Sequence, residues 1–122
     1  MTLQHPQLTN AQGALLGALI GDAAGATLEF LGRAPTSYEI DHALTLPGGG
    51  ALSVAPGQLT DDGELALALA RALDGSYEYP IERVASNYLR WISSSPFDVG
   101  NATRMAMDCR VQGHTPVHMQ MA

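Results

Sequence analysis

The groups in this chain placed for chemistry are Asp22 and Glu29, seven residues apart in AQGALLGALIGDAAGATLEF (11–30), and Thr60-Asp61-Asp62, three consecutive oxygen-bearing side chains. Seven residues is nearly two helical turns, so the two acids fall on one side if the stretch is helical. Glu29 then has two readings: an acid reaching solvent from a packed core helix, or an acid delivered to a cleft. Thr60, Asp61 and Asp62 precede a run rich in leucine and alanine. There a hydroxyl or carboxylate satisfies free amides and acids complement the macrodipole, so the pattern by itself spells capping. Gly48-Gly49-Gly50 suggests a phosphate cradle but lacks the lysine-containing spacing of a P-loop, and a flexible loop is expected. His114 and His118 are four apart, but Pro116 between them opposes a helical metal pair and points to a loose tail.

These groups need helices to hold them. Gly13, Gly17, Gly21 and Gly25 recur every fourth residue. Each makes a helix about 1 kcal/mol less favourable than alanine would, so the row calls for close approach of another element. Leu15, Leu16, Leu19 and Ile20 supply a compensating apolar stripe. Thr9 and Gln12 have capping-box spacing, which predicts a helix from about Asn10 after a loose lead-in over 1–8, with Gly32 as its stop. From Arg33 to Gln58 periodicity vanishes among prolines and glycines, and a long loop is expected. A second helix runs through Leu65–Leu73 and is closed by Asp74-Gly75. A third follows Tyr79-Pro80, with Ile81, Val84, Ala85, Tyr88, Leu89 and Ile92 on one stripe, Trp91 off its centre, and Ser93-Ser94-Ser95-Pro96 as terminator. A fourth has Asn101 as N-cap and Met105, Ala106 and Cys109 on its inward side.

With 122 residues, 46% hydrophobic and 15% charged, the chain suits one soluble globular domain able to bury a real core. A net charge of -6 argues against non-specific nucleic-acid binding, which needs a basic face. It does not forbid a nucleotide-sized ligand held by helix N-termini and a metal. One cysteine excludes an intrachain disulfide framework and suits a reducing compartment. The N-terminus has neither a basic region nor an apolar run, and no window of about 18 apolar residues exists, so no membrane span and a cytoplasmic location are expected.

Three pieces in order, GDAAGATLE (21–29), PGQLTDD (56–62) and SPFDVGNATR (95–104), together resemble the N-terminal part of the ADP-ribosylglycohydrolase family. The resemblance covers about residues 11–108 and implies an all-α, compact helical domain with about four main helices over 1–122, flanked by loose tails at 1–8 and 114–122. It implies an enzyme that binds two magnesium ions and removes ADP-ribose from a modified protein side chain, often arginine or serine. By that resemblance Thr60, Asp61 and Asp62 are metal ligands. Glu29 lies beside the site as the first catalytic candidate and Asp98 is the second. Asp98, Gly100 and Asn101 contact the substrate ribose. Magnesium takes oxygen ligands, so two carboxylates and a hydroxyl at one helix entrance suit it. Cleavage at the anomeric carbon passes through an oxocarbenium-like state that nearby acids stabilise or assist by moving a proton. Asp22 is read as structural, hydrogen-bonding a loop.

The sequence departs from the family at two places. The second motif usually continues as TDDT, whereas this chain has Gly63, and the family's second acidic motif, of GDTD type, is absent. Half the metal shell is therefore missing, and weak affinity for magnesium follows. The expectation is a truncated or degenerate member with low or no activity alone, a chain completed by a second one, or a protein that self-associates through exposed helix faces. The alternatives are a non-catalytic ADP-ribose-binding module and a helical assembly protein.

Overall fold

The computed structural model describes residues 5–111, with side chains over 7–108. The expectations for the side chain of Cys109, for His114 and His118 and for the tail over 114–122 lie outside the described residues. Those residues form five helices: α1 (His5–Gly25), α2 (Ser37–Ala43), α3 (Asp61–Leu73), α4 (Ile81–Ser93) and α5 (Asn101–Val111). The β pairing among them is one isolated bridge between Gly49 and Val54. The all-α expectation holds, with one helix more than the periodicity indicated. The chain divides into two compact units, Met1–Gly63 and Glu64–Ala122, taken in turn here.

In the first unit α1 begins at His5, which places Thr9 and Gln12 inside the helix, where their spacing caps nothing. It ends at Gly25, seven residues before Gly32. Beyond the last α-type bond, from Ala26 N–H to the Asp22 carbonyl (2.9 Å), the chain tightens through Leu28 N–H to the Gly25 carbonyl (2.8 Å). The Thr27 hydroxyl donates to the Ala24 carbonyl (2.9 Å), a local bond that competes with helix continuation. Among the described residues the packing of α1 is at this end: Ala23 and Ala24 are buried, as is Ala26 just beyond it, while every side chain over 7–18 is exposed. The described residues leave the glycine row uncovered: outside the helix's own backbone, none of their atoms lies within 4 Å of a Cβ built at Gly13, Gly17, Gly21 or Gly25. Leu16 and Ile20, expected to face a core, are 58% and 49% exposed.

Two features replace the expected long loop. The first is α2, capped by a reciprocal box: the Thr36 hydroxyl accepts from Glu39 N–H (3.3 Å) and the Glu39 carboxylate accepts from Thr36 N–H (2.7 Å). Arg33 pairs with the same carboxylate at 2.6 Å. The second is a tight turn built by the glycine triplet. Gly48, Gly49 and Gly50 have φ of +75°, +88° and +69°, a left-handed region that costs a side-chain-bearing residue dearly. Gly49 and Val54 exchange backbone hydrogen bonds (2.7 and 3.1 Å), and Val54 is buried. A Cβ at Gly50 would stand 2.8 Å from the Thr27 carbonyl oxygen, so the turn is seated against the end of α1.

In the second unit the bulk of α3 buries Ala68 and Ala72 and closes at Gly75, whose φ is +69°. Pro80 stands before α4, which ends at Ser93 as the serine run predicts. Of its apolar stripe Val84 is buried but Ile81 is 57% exposed. Met105 and Ala106 of α5, expected inward, are exposed. Between α3 and α4 lies a groove of about 380 Å³. It is bridged by Trp91 Nε1–H to Glu64 Oε2 (2.6 Å) and Asn87 Nδ2–H to the Ala68 carbonyl (3.0 Å). The large core that the composition predicts is not formed by the described residues: their buried apolar side chains are all alanine or valine. None of their helices is long and apolar enough to cross a membrane.

Candidate active site

The end of α1 and the start of α3 enclose a pocket of about 370 Å³ in the first unit. Gly21, Gly25 and Ala26 line it with little side-chain bulk, and four carboxylates reach it: Asp22, Glu29, Asp61 and Asp62. Glu29 arrives there from the turn after α1. Because the helix stops at Gly25, Asp22 and Glu29 are not stacked on one helical face as their spacing suggested; the turn brings them to the same pocket by another path.

On the opposite wall Thr60 immediately precedes α3 and is 4% exposed. Its neighbours are half-buried Asp61 and exposed Asp62 in the first turn. One carboxylate from a distant part of the sequence holds this entrance. Asp22 Oδ2 accepts from Thr60 N–H (2.8 Å) and from Gly63 N–H (3.1 Å), and Asp22 Oδ1 accepts from the Thr60 hydroxyl. Free amides at a helix start and the positive end of its dipole both favour a carboxylate there. The structural reading of Asp22 holds, and the loop it bonds is the entrance of α3. No local sequence signal pointed to the role of Gly63. A Cβ there would stand 2.4 Å from Asp22 Oδ2 and 3.1 Å from the Leu59 side chain.

Glu29, Thr60, Asp61 and Asp62 are thus brought together, as the sequence reading required. Asp98, Gly100 and Asn101 belong to the second unit. Asp98 is half-buried in the segment between α4 and α5, Gly100 is exposed with its carbonyl accepting from Arg104 N–H (2.9 Å), and Asn101 opens α5.

Among the described residues the pocket is lined by acids and by no basic side chain, a setting for a cation or for developing positive charge. Its donors are hard oxygens, which suit magnesium or calcium and not softer metals. Among the described residues no three carboxylate, imidazole or thiol groups converge as a metal cage. The side chains lining it are oxygen donors of the kind a hard cation takes, without a cage of them among the described residues.

A family model described as ADP-ribosylglycohydrolase matches residues 3–120. Over 96 residues the chain is 43% identical to an ADP-ribosyl-[dinitrogen reductase] glycohydrolase of Rhodospirillum rubrum, covering 77% of this chain and 32% of that protein. Over 108 residues it is 39% identical to an ADP-ribosylarginine hydrolase of Pseudomonas putida, covering 83% of this chain and 28% of that one. A putative ADP-ribosyl glycohydrolase of Acanthamoeba polyphaga mimivirus is 37% identical over 101 residues, 80% of this chain and 31% of its own. The chain spans about a third of the length of the curated relatives it matches.

Proposed function

This chain belongs to the ADP-ribosylglycohydrolase family, and from that premise we propose that its acidic pocket is one wall of a site that hydrolyses the bond between ADP-ribose and a protein side chain. The observation that carries the reading is the meeting of Glu29 with Thr60, Asp61 and Asp62 around one pocket. Two similar proteins of known name act on ADP-ribosylated dinitrogen reductase and on ADP-ribosylarginine, so an ADP-ribosylated arginine is the first substrate to test.

In this reading Thr60, Asp61 and Asp62 hold magnesium. When bound, the metal supplies charge screening for the diphosphate and orientation for the ribose hydroxyls. Glu29 stands where positive charge develops on the ribose ring: its carboxylate stabilises the oxocarbenium-like state and accepts the proton of the attacking water. By family resemblance alone, Asp98, Gly100 and Asn101 are the candidates for ribose contact, and Asp98 is the alternative candidate for proton acceptor. Water adds to the anomeric carbon as the carbon–nitrogen bond breaks, and the proton that Glu29 takes from the water passes to the leaving nitrogen, which restores the carboxylate.

The chain by itself has low activity, because Thr60–Asp62 furnish ligands from one side only and weak metal affinity follows. A second reading, assembly with another copy or a complementing chain, is favoured by the exposed α1 leucines and the uncovered glycine row. Titration calorimetry with ADP-ribose and magnesium tests the site. Weak binding that requires magnesium and is removed by Asp61→Ala is expected, and no heat at millimolar ligand refutes the reading. A release assay on an ADP-ribosylarginine peptide tests activity; release tenfold above that of Asp61→Ala would show that this chain completes the site alone.

A further inference from the structure

We propose that Asp22 is the positioning residue of the pocket, locking Thr60 as a donor of oxygen lone pairs, and that Gly63 is glycine because the Asp22 carboxylate occupies the space of its side chain. The inference rests on the hydrolase reading for what Thr60 does, and on geometry alone for the lock.

A helix start is ordinarily closed by a local box, in which the residue before the helix and the third residue within it each satisfy the other's backbone amide. Thr36 and Glu39 do this for α2. At α3 the corresponding positions are Thr60 and Gly63, and glycine has no side chain to reach back. Asp22 performs both halves from 38 and 41 residues away: its Oδ2 takes the amides of Thr60 and Gly63 together (2.8 and 3.1 Å).

The second oxygen has a different consequence. An ionised carboxylate only accepts, so the hydroxyl proton of Thr60 is committed to Asp22 Oδ1. A hydroxyl carries one proton and two lone pairs; with the proton fixed, Oγ1 presents only lone pairs elsewhere. That is the state in which a threonine ligates a cation, and it is set before any cation arrives. Asp22 also fixes the backbone from which Asp61 and Asp62 project, since it grips the residues on both sides of them.

The crowding at Gly63 supplies an independent handle. An added methyl would meet Asp22 Oδ2 at 2.4 Å, the far end of a side chain that can swing away. Gly63→Ala therefore acts through Asp22, expelling the carboxylate from the amides it holds.

The test compares the full chain with Asp22→Ala, Gly63→Ala and the double variant. Amide hydrogen exchange by NMR reads the lock, and titration with Mn2+ alone, followed by its electron paramagnetic resonance signal, reads the donor state. Each single variant is expected to lose at least tenfold protection at the amides of residues 60 and 63, with α4 amides unchanged. Each is expected to raise the Mn2+ dissociation constant tenfold or more, and the double variant to be no worse than the worse single one, as two changes acting on one contact are non-additive. Retained protection in Asp22→Ala, or additive losses, overturns the lock. Freed amides with unchanged Mn2+ affinity overturn the positioning role. Should the unaltered protein bind no Mn2+, the metal reading and the donor role fall together while the amide comparison still decides the lock. If Asp22→Ala does not fold, Gly63→Ala carries the same comparison.

Discussion

Replacing Gly48 by alanine tests whether the glycine triplet is a built turn. At φ +75° the new Cβ would lie 2.6 Å from the Val54 carbonyl oxygen and 2.7 Å from Ala55 C and Pro56 N. All three are backbone atoms, so no rotamer change relieves the overlap. The left-handed conformation costs a residue with a Cβ about 1–2 kcal/mol, and forcing a shift of packed backbone costs about 1–3 kcal/mol more. The combined loss of about 2–5 kcal/mol is a large part of a typical domain stability of about 5–15 kcal/mol. Gly49 is the control: its φ is +88° but nothing lies within 4 Å of a Cβ, so Gly49→Ala bears the conformational cost alone. In urea, with a slope of about 1–3 kcal/mol per molar, Gly48→Ala should lower the midpoint by about 1–2 M and Gly49→Ala by less than half as much. Far-UV circular dichroism is the first probe. Trp91, the single tryptophan, belongs to the second unit, so its emission reports that unit separately. Equal midpoints for the two variants would refute the close approach of Gly48 to the chain at 54–56.

Two other perturbations act elsewhere. Hydrogen bonds from Arg33 and from the backbone and hydroxyl of Thr36, with the Arg33 charge adding, hold the Glu39 carboxyl at about 2, below the usual glutamate range. A lowered folded value means that its contribution is fully present above the ordinary value of about 4.5 and is lost as pH falls from there through about 2; a carboxyl-carbon NMR titration should show that low midpoint, and Arg33→Ala should move it upward. The exposed α1 face predicts concentration-dependent association in sedimentation velocity, weakened by Leu16→Ser with Ile20→Ser; a monomer at every concentration would count against the assembly reading.

What was legible in the sequence was what the chain spells locally. Leucine and alanine spacing located α3, the stripe from Ile81 to Ile92 located α4, and Asp74-Gly75 marked a stop that Gly75 makes in a left-handed conformation. The helix missed, α2, was also spelled: Thr36-Ser37-Tyr38-Glu39 is a capping box of the threonine–glutamate form, overlooked amid prolines and glycines. Thr9 and Gln12 had similar spacing and fell inside α1, because residues before them were already helical. The inward sides assigned to α1 and α5 failed for another reason. Periodicity identifies an apolar face but not what covers it, and Leu16, Ile20 and Met105 lie on faces that the described residues leave exposed.

The candidate site divides along the same line. Glu29 and Thr60–Asp62 could be named from their motifs, yet the path by which they meet could not, since it depends on α1 stopping at Gly25 and on a turn whose seat is the Thr27 backbone beneath Gly50. The partnership of Asp22 with Gly63 spans 41 residues and inverts a local rule, because the helix position that normally carries the capping carboxylate is the one that must lack a side chain. The glycine row remains the feature most at odds with a chain acting by itself. Three interior glycines, Gly13, Gly17 and Gly21, make α1 less favourable by about 3 kcal/mol relative to alanine, and among the described residues nothing outside the helix's own backbone comes within 4 Å of a Cβ built at any of them. A helix that carries this cost with its leucines and isoleucine exposed has a surface shaped for close contact. That physical ground supports the proposal of a second copy or complementing chain, and it makes Gly13→Ala and Gly17→Ala informative companions to the sedimentation experiment. If the row is an interface, the added methyls should weaken association while strengthening the helix itself.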